Sequence, residues 1–597
     1  MNISPSWLAQ WLRPGRIGNR ENFIDVCWLL GLGLVLFATG LGLRDPWPAD
    51  EPRFALIARD MVRSGQWLIP SVGGNIYADK PPLFFWLIAG GLQLTGNLRI
   101  AFLLPSLLAS LGSVLLIYDL GRRLWNRESG FAAALALIFT WQFAWQARQA
   151  QIDATQCFFI TLGLYGILRH LLLGPAWRRY ILGWAAAGLG VITKGVGFLP
   201  LLVLIPYAFT AKGPWQPRPA LNGNWKWLLG PLAFIAAISV WLAPMLVASV
   251  ADPAIAAYRD EILFHQTVGR YAHAWHHQEP VWYFVVEVIP FLWLPLTALL
   301  PWLIPRWRDA LRQRDLRIGL PLTWIVLVVI FFSASTGKRG VYVLPAVPAL
   351  ALICGPWIDE LARKAAPRAA LFILAALVTI AITIAASLLW SGGDVAAQAA
   401  AELGANLAPV TGVIAVCSWA ICILMRPAGG FVTFAAVLGT VLVAFGIWAA
   451  PSINAARSAE SFARLVESRS ADISELGIVA YKEQYLLQLR RPTFNFGHAR
   501  WRDANQEATD AAAWLYASPT RGLLINEEAR QWCFADSAAQ EIAEANGEHW
   551  YLVRSVVRNQ CVQRGASATV HRYDPSSGAN AIPSTFGASQ TSAVTAP

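Results

Sequence analysis

Residues 45–83, DPWPADEPRFALIARDMVRSGQWLIPSVGGNIYADKPPL, form a charged island between two long apolar runs. The island opens on adjacent acids, Asp50 and Glu51, with Arg53 close behind. It closes on Asp79, Lys80 and the Pro81-Pro82 pair, which stops one element and starts the next. Between them Phe54, Ile57, Ala58, Met61 and Val62 recur at helical spacing against Arg53, Arg59, Asp60 and Arg63, the pattern of a short amphipathic helix lying on a membrane surface. A plain connection needs no such cluster of carboxylates and cations beside a bilayer, so this stretch is the candidate active site.

Outward from the island the chain is membrane protein. Of 597 residues 56% are hydrophobic and only 14% charged, too apolar for an ordinary soluble protein and right for a polytopic, all-α one. The net charge of +11 sits in short stretches flanking apolar runs, which orients spans and argues against nucleic-acid binding. No cleavable signal is evident, and the apolar run 24–43 reads as an uncleaved first span. Further runs follow at 83–97, 101–118, 131–147, 156–173, 180–193, 197–211, 227–249, 284–304, 317–334, 341–354, 369–390, 408–425 and 430–450. Basic connections at Arg122–Arg127, Arg178–Arg179, Lys212–Lys226, Arg306–Arg317 and Arg363–Arg368 read as cytoplasmic. If Lys80 is external and Arg122 internal, one of the two runs between them does not fully cross. The expectation is about 13 transmembrane helices, with the N-terminus cytoplasmic and the C-terminus external.

That topology gathers Asp50, Glu51, Asp79, Lys80, Asp153, His265, Arg270 and Lys338 on one side, with Thr193-Lys194-Gly195 and Tyr342 nearby. Charged groups at a membrane boundary are costly unless they pair or meet a polar ligand. The expected organisation is a cytoplasmic segment 1–23 and a transmembrane domain 24–450, with a first external catalytic loop 44–82 and a second external loop 250–283. A small external α/β domain follows at 451–573, with strands near Gly477–Tyr481, Gly522–Ile525 and Trp550–Val553 and a helix at Ala508–Tyr516. The tail 574–597 is expected to be disordered. Cys533 and Cys561 can pair if that region faces an oxidising compartment, whereas the five cysteines in apolar runs read as small buried hydrophobes.

An apolar mass holds a lipid tail, external cations hold its phosphate, and carboxylates act on the group the phosphate carries. Lys80, Arg270 and Lys338 suit a phosphate. Asp50 can align or deprotonate a nucleophile, and Asp79 with His265 can hold a divalent cation. Each residue also has a plain structural role open to it. Asp50 and Glu51 are acids at a helix N-terminus, Lys80 can pair with Asp79, and Asp153 can form an ion pair with Arg148.

The motifs DEPRFALIARDM (50–61), SGQWLIP (64–70) and YADKPPLFFW (77–86) together resemble the first external loop of GT-C membrane glycosyltransferases. Lipid A aminoarabinose transferases and the group containing protein O-mannosyltransferases (family 39) are the nearest in pattern. GRRLW (121–125), the Asp153 region, TKG (193–195), HQTVGRY (265–271) and GKRGVYVLPAVPAL (337–350) extend the likeness to about residue 350. The resemblance implies a GT-C fold and an inverting, polyprenyl-phosphate-sugar-dependent glycosyltransferase of the bacterial inner membrane. Its donor is a polyprenyl-phosphate-linked sugar, such as 4-amino-4-deoxy-L-arabinose or another pentose or hexose, and its acceptor is lipid A or another envelope molecule at the periplasmic face.

By resemblance, Asp50 and Asp153 are active-site acids, Lys80, Arg270 and Tyr342 hold the carrier phosphate, and Asp79 and His265 hold a Zn, Mn or Mg ion. From the residues themselves, Glu51 is a further candidate catalytic acid, and Arg53 and Lys338 are further candidates to bind substrate or phosphate. Asp79 is one methylene shorter than the Glu of the pattern, and Phe54 stands where the aminoarabinose enzymes carry Tyr. Transfer to protein Ser or Thr is the alternative within the class, and a lipid-linked substrate transporter or flippase the alternative outside it.

Overall fold

The computed structural model describes residues 18–210, 213–221, 223, 225–264, 279–498, 504–534, 539–545, 547–554, 561 and 570–576. Among them, seven helices are long and apolar enough to cross a membrane. A pair bent by 98°, Phe284–Leu292 with Thr297–Arg312, makes an eighth if it counts as one span. Trp225–Ala251 and Ala365–Trp390 bury only 22% of their apolar windows against protein. Their remaining apolar surface suits lipid rather than water.

The apolar run placed at 24–43 forms the helix Gly18–Phe37 instead. Its polar start is helical because Glu21 and Asp25 are both held by Arg127, at 2.6 Å each. The doubtful pair of runs after Lys80 also resolves by length. Leu83–Thr95 has 13 residues, about 20 Å at 1.5 Å per residue, and ends in a left-handed Gly96. That is short of the roughly 30 Å of a hydrocarbon core. The following stretch Leu98–Leu124 has 27 residues.

Ile152–Leu173 and Trp177–Lys194 form a tight antiparallel hairpin. A Cβ on Gly166 would stand 2.3 Å from the Arg179 carbonyl oxygen, so only glycine lets the helices approach this closely. The hairpin brings the N-terminus of the first helix beside the C-terminus of the second.

Beyond the bundle lies a six-stranded mixed sheet built from β3 Glu475–Ile478, β4 Thr493–Asn495, β5 Arg521–Asn526, β6 Ala539–Ala545, β7 Glu548–Val553 and β8 His571–Tyr573. Their order across the sheet is β6-β7-β5-β3-β4-β8. β3 pairs in parallel with β4 and β5, and the outer pairings are antiparallel. The helix expected at Ala508–Tyr516 runs Ala504–Tyr516. Cys533 and Cys561 form a disulfide with their Cα atoms 5.8 Å apart. Of the other cysteines, Cys157, Cys354 and Cys422 are buried, but Cys27 and Cys417 are exposed on the bundle. The expected disordered tail falls, from residue 577 onward, outside the described residues.

The island at 45–83 is the keystone between bundle and sheet. Its helix forms at Glu51–Ser64 but does not lie open on a surface, because Arg59 and Asp60 on the polar face are also buried. Arg59 donates to the carbonyls of Leu486 and Leu487 at 2.9 and 3.1 Å, and to the Tyr573 hydroxyl at 2.6 Å. That hydroxyl donates in turn to Asp60 at 2.9 Å. After the helix comes a two-residue hairpin, β1 Ser71–Val72 with β2 Asn75–Ile76, turning at Gly73 and Gly74 with φ of +55° and +99°. Its tip is held by Asn495, which donates to the Gly73 carbonyl at 2.7 Å. Phe54, Ile57, Met61, Phe84 and Phe85 share one apolar core with Phe462, Ile478, Tyr485 and Trp550 of the sheet domain.

Candidate active site

Asp50 and Glu51, adjacent in sequence, have different surroundings. Glu51 is buried, and its carboxylate accepts from Arg44 Nη1 and Nη2 at 2.5 and 2.8 Å. It also accepts from the backbone N–H of Trp47 and of Ala150, at 2.9 Å each. Glu51 thus ties the start of the loop to the segment leading into Asp153. The Asp50 side chain stays 20% exposed and makes no capping bond to its helix. One of its oxygens faces Arg339, at 3.3 and 3.4 Å from the two Nη atoms.

Arg339 is the cation that sequence reasoning missed in favour of its neighbour. Lys338 is 4% exposed and donates to the Glu279 carbonyl at 2.6 Å, anchoring the end of the second loop. Arg339 has extended backbone, φ −129° and ψ 140°, and successive side chains of extended chain point to opposite sides. One of the pair therefore turns into protein and the other toward Asp50. The turn behind them, Gly340–Val343, is held by Gln142, whose Nε2 donates to the Gly340 carbonyl at 2.8 Å. Burial acts to lower the Arg339 pKa, but the carboxylates of Asp50 and Asp153 keep it raised.

Asp153 pairs with Lys194, not with Arg148. The helix hairpin explains the choice, placing an acid in the first turn of one helix against a lysine in the last turn of the other, both favourable to the helix dipoles. Arg148 donates instead to the carbonyls of Leu36 and Thr39, at 2.5 and 2.8 Å. Lys194 Nζ also sits 4.5 Å from the centre of the Tyr342 ring. TKG marked this lysine in the sequence, yet nothing local distinguished it from an ordinary helix C-terminus.

A second cluster adjoins the first. Arg53 Nε donates to Glu483 Oε1 at 2.5 Å, and its guanidinium lies 6.0 Å from the Tyr77 ring centre. Burial works against the Arg53 charge, but Glu483 foremost, with Tyr77 and Asp50, raises its pKa. Asp79 and Lys80 are half-buried and partnered, with Asp79 within electrostatic reach of Tyr77. Arg270 and His265 fall outside the described residues. Among the described residues no group of three or more His, Cys, Asp or Glu side chains could hold a metal ion. Asp79 is the described half of the expected pair.

The structure thus brings together Asp50, Asp153, Tyr342, Lys194 and Arg339, with Arg53 and Tyr77 alongside. Two carboxylates interleaved with cations suit a ligand that carries negative charge and reacts next to it.

Residues 79–243 match a family model described as dolichyl-phosphate-mannose-protein mannosyltransferase. The chain is 31% identical over 351 residues to the undecaprenyl phosphate-alpha-4-amino-4-deoxy-L-arabinose arabinosyl transferase 2 of Pseudomonas fluorescens (strain Pf0-1), covering 57% of this chain and 61% of that protein. To the corresponding transferase of Pseudomonas aeruginosa (strain PAO1) it is 32% identical over 342 residues, covering 54% and 58%. The chain therefore spans about three-fifths of the length of these curated relatives. The crystal structure of ArnT from Cupriavidus metallidurans bound to undecaprenyl phosphate superposes with a TM-score of 0.69 at 20% identity, covering 88% of this chain and 97% of that one. Its apo structure gives the same TM-score over 90% and 98%. The largely helical architecture is the fold that ArnT adopts.

Proposed function

We propose that this chain is an inverting glycosyltransferase that moves a sugar from a polyprenyl-phosphate carrier to lipid A or another envelope acceptor at the periplasmic face of the inner membrane. The observation that carries the reading is the pairing of a reachable carboxylate, Asp50, with Arg339, beside Asp153, Lys194 and Tyr342. The fold shared with ArnT and the sequence similarity to aminoarabinose transferases support the donor class, and 4-amino-4-deoxy-L-arabinose is the sugar those relatives' names specify.

In this reading an acceptor oxygen attacks the anomeric carbon from the face opposite the carrier. The bond from that carbon to the carrier phosphate breaks, and its electron pair leaves on the phosphate. Arg53, Arg339, Lys194, Lys80 and Arg270 bind and neutralise that phosphate, so rate comes from positioning and electrostatic stabilisation. Asp50 takes the proton of a hydroxyl acceptor, and a phosphate acceptor needs no base. Asp79 and His265 would hold the divalent ion, whose charge would assist the leaving phosphate.

The topology that goes with this has about 13 spans, the N-terminus cytoplasmic and the domain 451–573 periplasmic. The short helix Leu83–Thr95 and the basic connections support it, as does the disulfide Cys533–Cys561, a bond that persists in oxidising compartments. The boundaries are 1–23, 24–450, 451–573 and 574–597.

Asp50→Asn is expected to abolish transfer from a polyprenyl-phosphate donor while the purified protein keeps its melting temperature. Wild-type transfer by that variant removes Asp50 from the mechanism. The match of residues 79–243 to the mannosyltransferase model supports one second reading, transfer to Ser or Thr of a protein. Mass spectrometry of lipid A and of secreted proteins, with and without the enzyme, separates the two acceptors.

A further inference from the structure

The site proposed above draws a cation from the first loop, but a carboxylate from the far end of the chain holds it. Arg53 lies in the first turn after Asp50, and its side chain is 25% exposed, so a ligand can reach it. Its partner Glu483 opens the helix Glu483–Gln488 of the sheet domain and is itself only 9% exposed. Glu483 also pairs with His498 Nε2 at 3.0 Å. The His498 ring stands 6.1 Å from Tyr77 and 5.9 Å from Tyr481. Arg53 is thus held by Glu483 of the sheet domain and lies 6.0 Å from the centre of the Tyr77 ring.

A guanidinium fixed beforehand gives up less rotamer entropy when a ligand arrives. Other docking contacts, such as Arg59 with Tyr573 and Asn495 with Gly73, involve neither Arg53 nor Glu483.

We propose that Glu483 is a positioning residue for the transfer reaction. The sheet domain completes the site by holding Arg53 so that its guanidinium faces the carrier phosphate beside Asp50. This rests on the reading of the site as a polyprenyl-phosphate glycosyltransferase.

The test is a double-mutant cycle on the full chain in detergent, with a polyprenyl-phosphate-linked sugar as donor. Glu483→Gln is expected to lower kcat/KM for the donor about tenfold, and to lower it no further when Arg53 is already Met. Tyr573→Phe, which loosens the same dock away from Arg53, should lower the melting temperature and leave kcat/KM unchanged. Equal losses from Glu483→Gln with and without Arg53, or an equal loss from Tyr573→Phe, reduce Glu483 to a docking contact and overturn the proposal. Full activity of Arg53→Met alongside an inactive Asp50→Asn overturns it too, and leaves the glycosyltransferase reading standing. No transfer by the wild-type chain from any polyprenyl-phosphate-linked sugar removes that reading itself.

Discussion

Two pairs of adjacent residues show how finely the site is divided. Asp50 and Glu51 differ by one step along a helix start, yet Glu51 accepts four hydrogen bonds from Arg44, Trp47 and Ala150 while Asp50 faces Arg339 across 3.3 Å. Lys338 and Arg339 divide in the same way, one into a carbonyl and the other toward the acid. Glu51→Gln leaves Arg44 buried without its countercharge and is expected to cost about 3–5 kcal/mol. Thermal unfolding of the purified variant measures this, and an unchanged midpoint would show that the ion pair contributes nothing to stability. The residue types at these positions were readable as candidates in the sequence. Which of two neighbours points at the ligand was not, because that depends on backbone direction at a turn and on what packs behind it.

At the scale of elements, local pattern was a good guide where one face is buried and a poor one elsewhere. β3, β5 and β7 were legible as apolar runs because they lie inside the sheet with mostly buried residues. The edge strands β6 and β8 carry largely exposed or half-exposed side chains, and β4 has three residues, so neither composition nor alternation announces them. The loop helix was legible as a helix, but its polar face was assigned to solvent and is covered by the sheet domain. The hairpin after it depends on Gly73. A Cβ there would meet Leu486 at 2.7 Å and the Tyr481 hydroxyl at 2.8 Å, on a backbone of φ +55°. Gly73→Ala should therefore destabilise the docked hairpin by about 1–3 kcal/mol. Hydrogen exchange of Val72 to Tyr77 should quicken, and unchanged protection there would contradict the role given to the glycine.

At the scale of the molecule, the junction between bundle and sheet should depend on pH in two opposed ways. Burial pushes the Asp60 carboxyl up to about 7, with Arg59 and Tyr573 offsetting only part of the effect. Its folded pKa lies above the ordinary 3.8, so its contribution is complete at low pH and is lost as pH rises from about 4 through 7. Glu483 is the reverse. Despite its burial, His498 and Arg53 hold it down at about 2, so its contribution is complete above about pH 4.5 and is lost as pH falls toward 2. Wild-type protein is expected to lose on the order of 4 kcal/mol between pH 4 and 8 through Asp60, and Asp60→Asn to remove that slope. Melting curves across this range decide it, and parallel slopes in the two proteins would rule out Asp60 as the cause.

Membrane class and the position of the charged island followed from the sequence alone. Each is a property of consecutive residues, since a hydrocarbon core selects for unbroken apolar runs and charges gather where those runs stop. The partners of the island's charges were settled only by the fold. Arg53 meets a carboxylate 430 residues away and Tyr573 meets Asp60 across 513, and no local pattern encodes a contact between side chains that packing alone brings face to face.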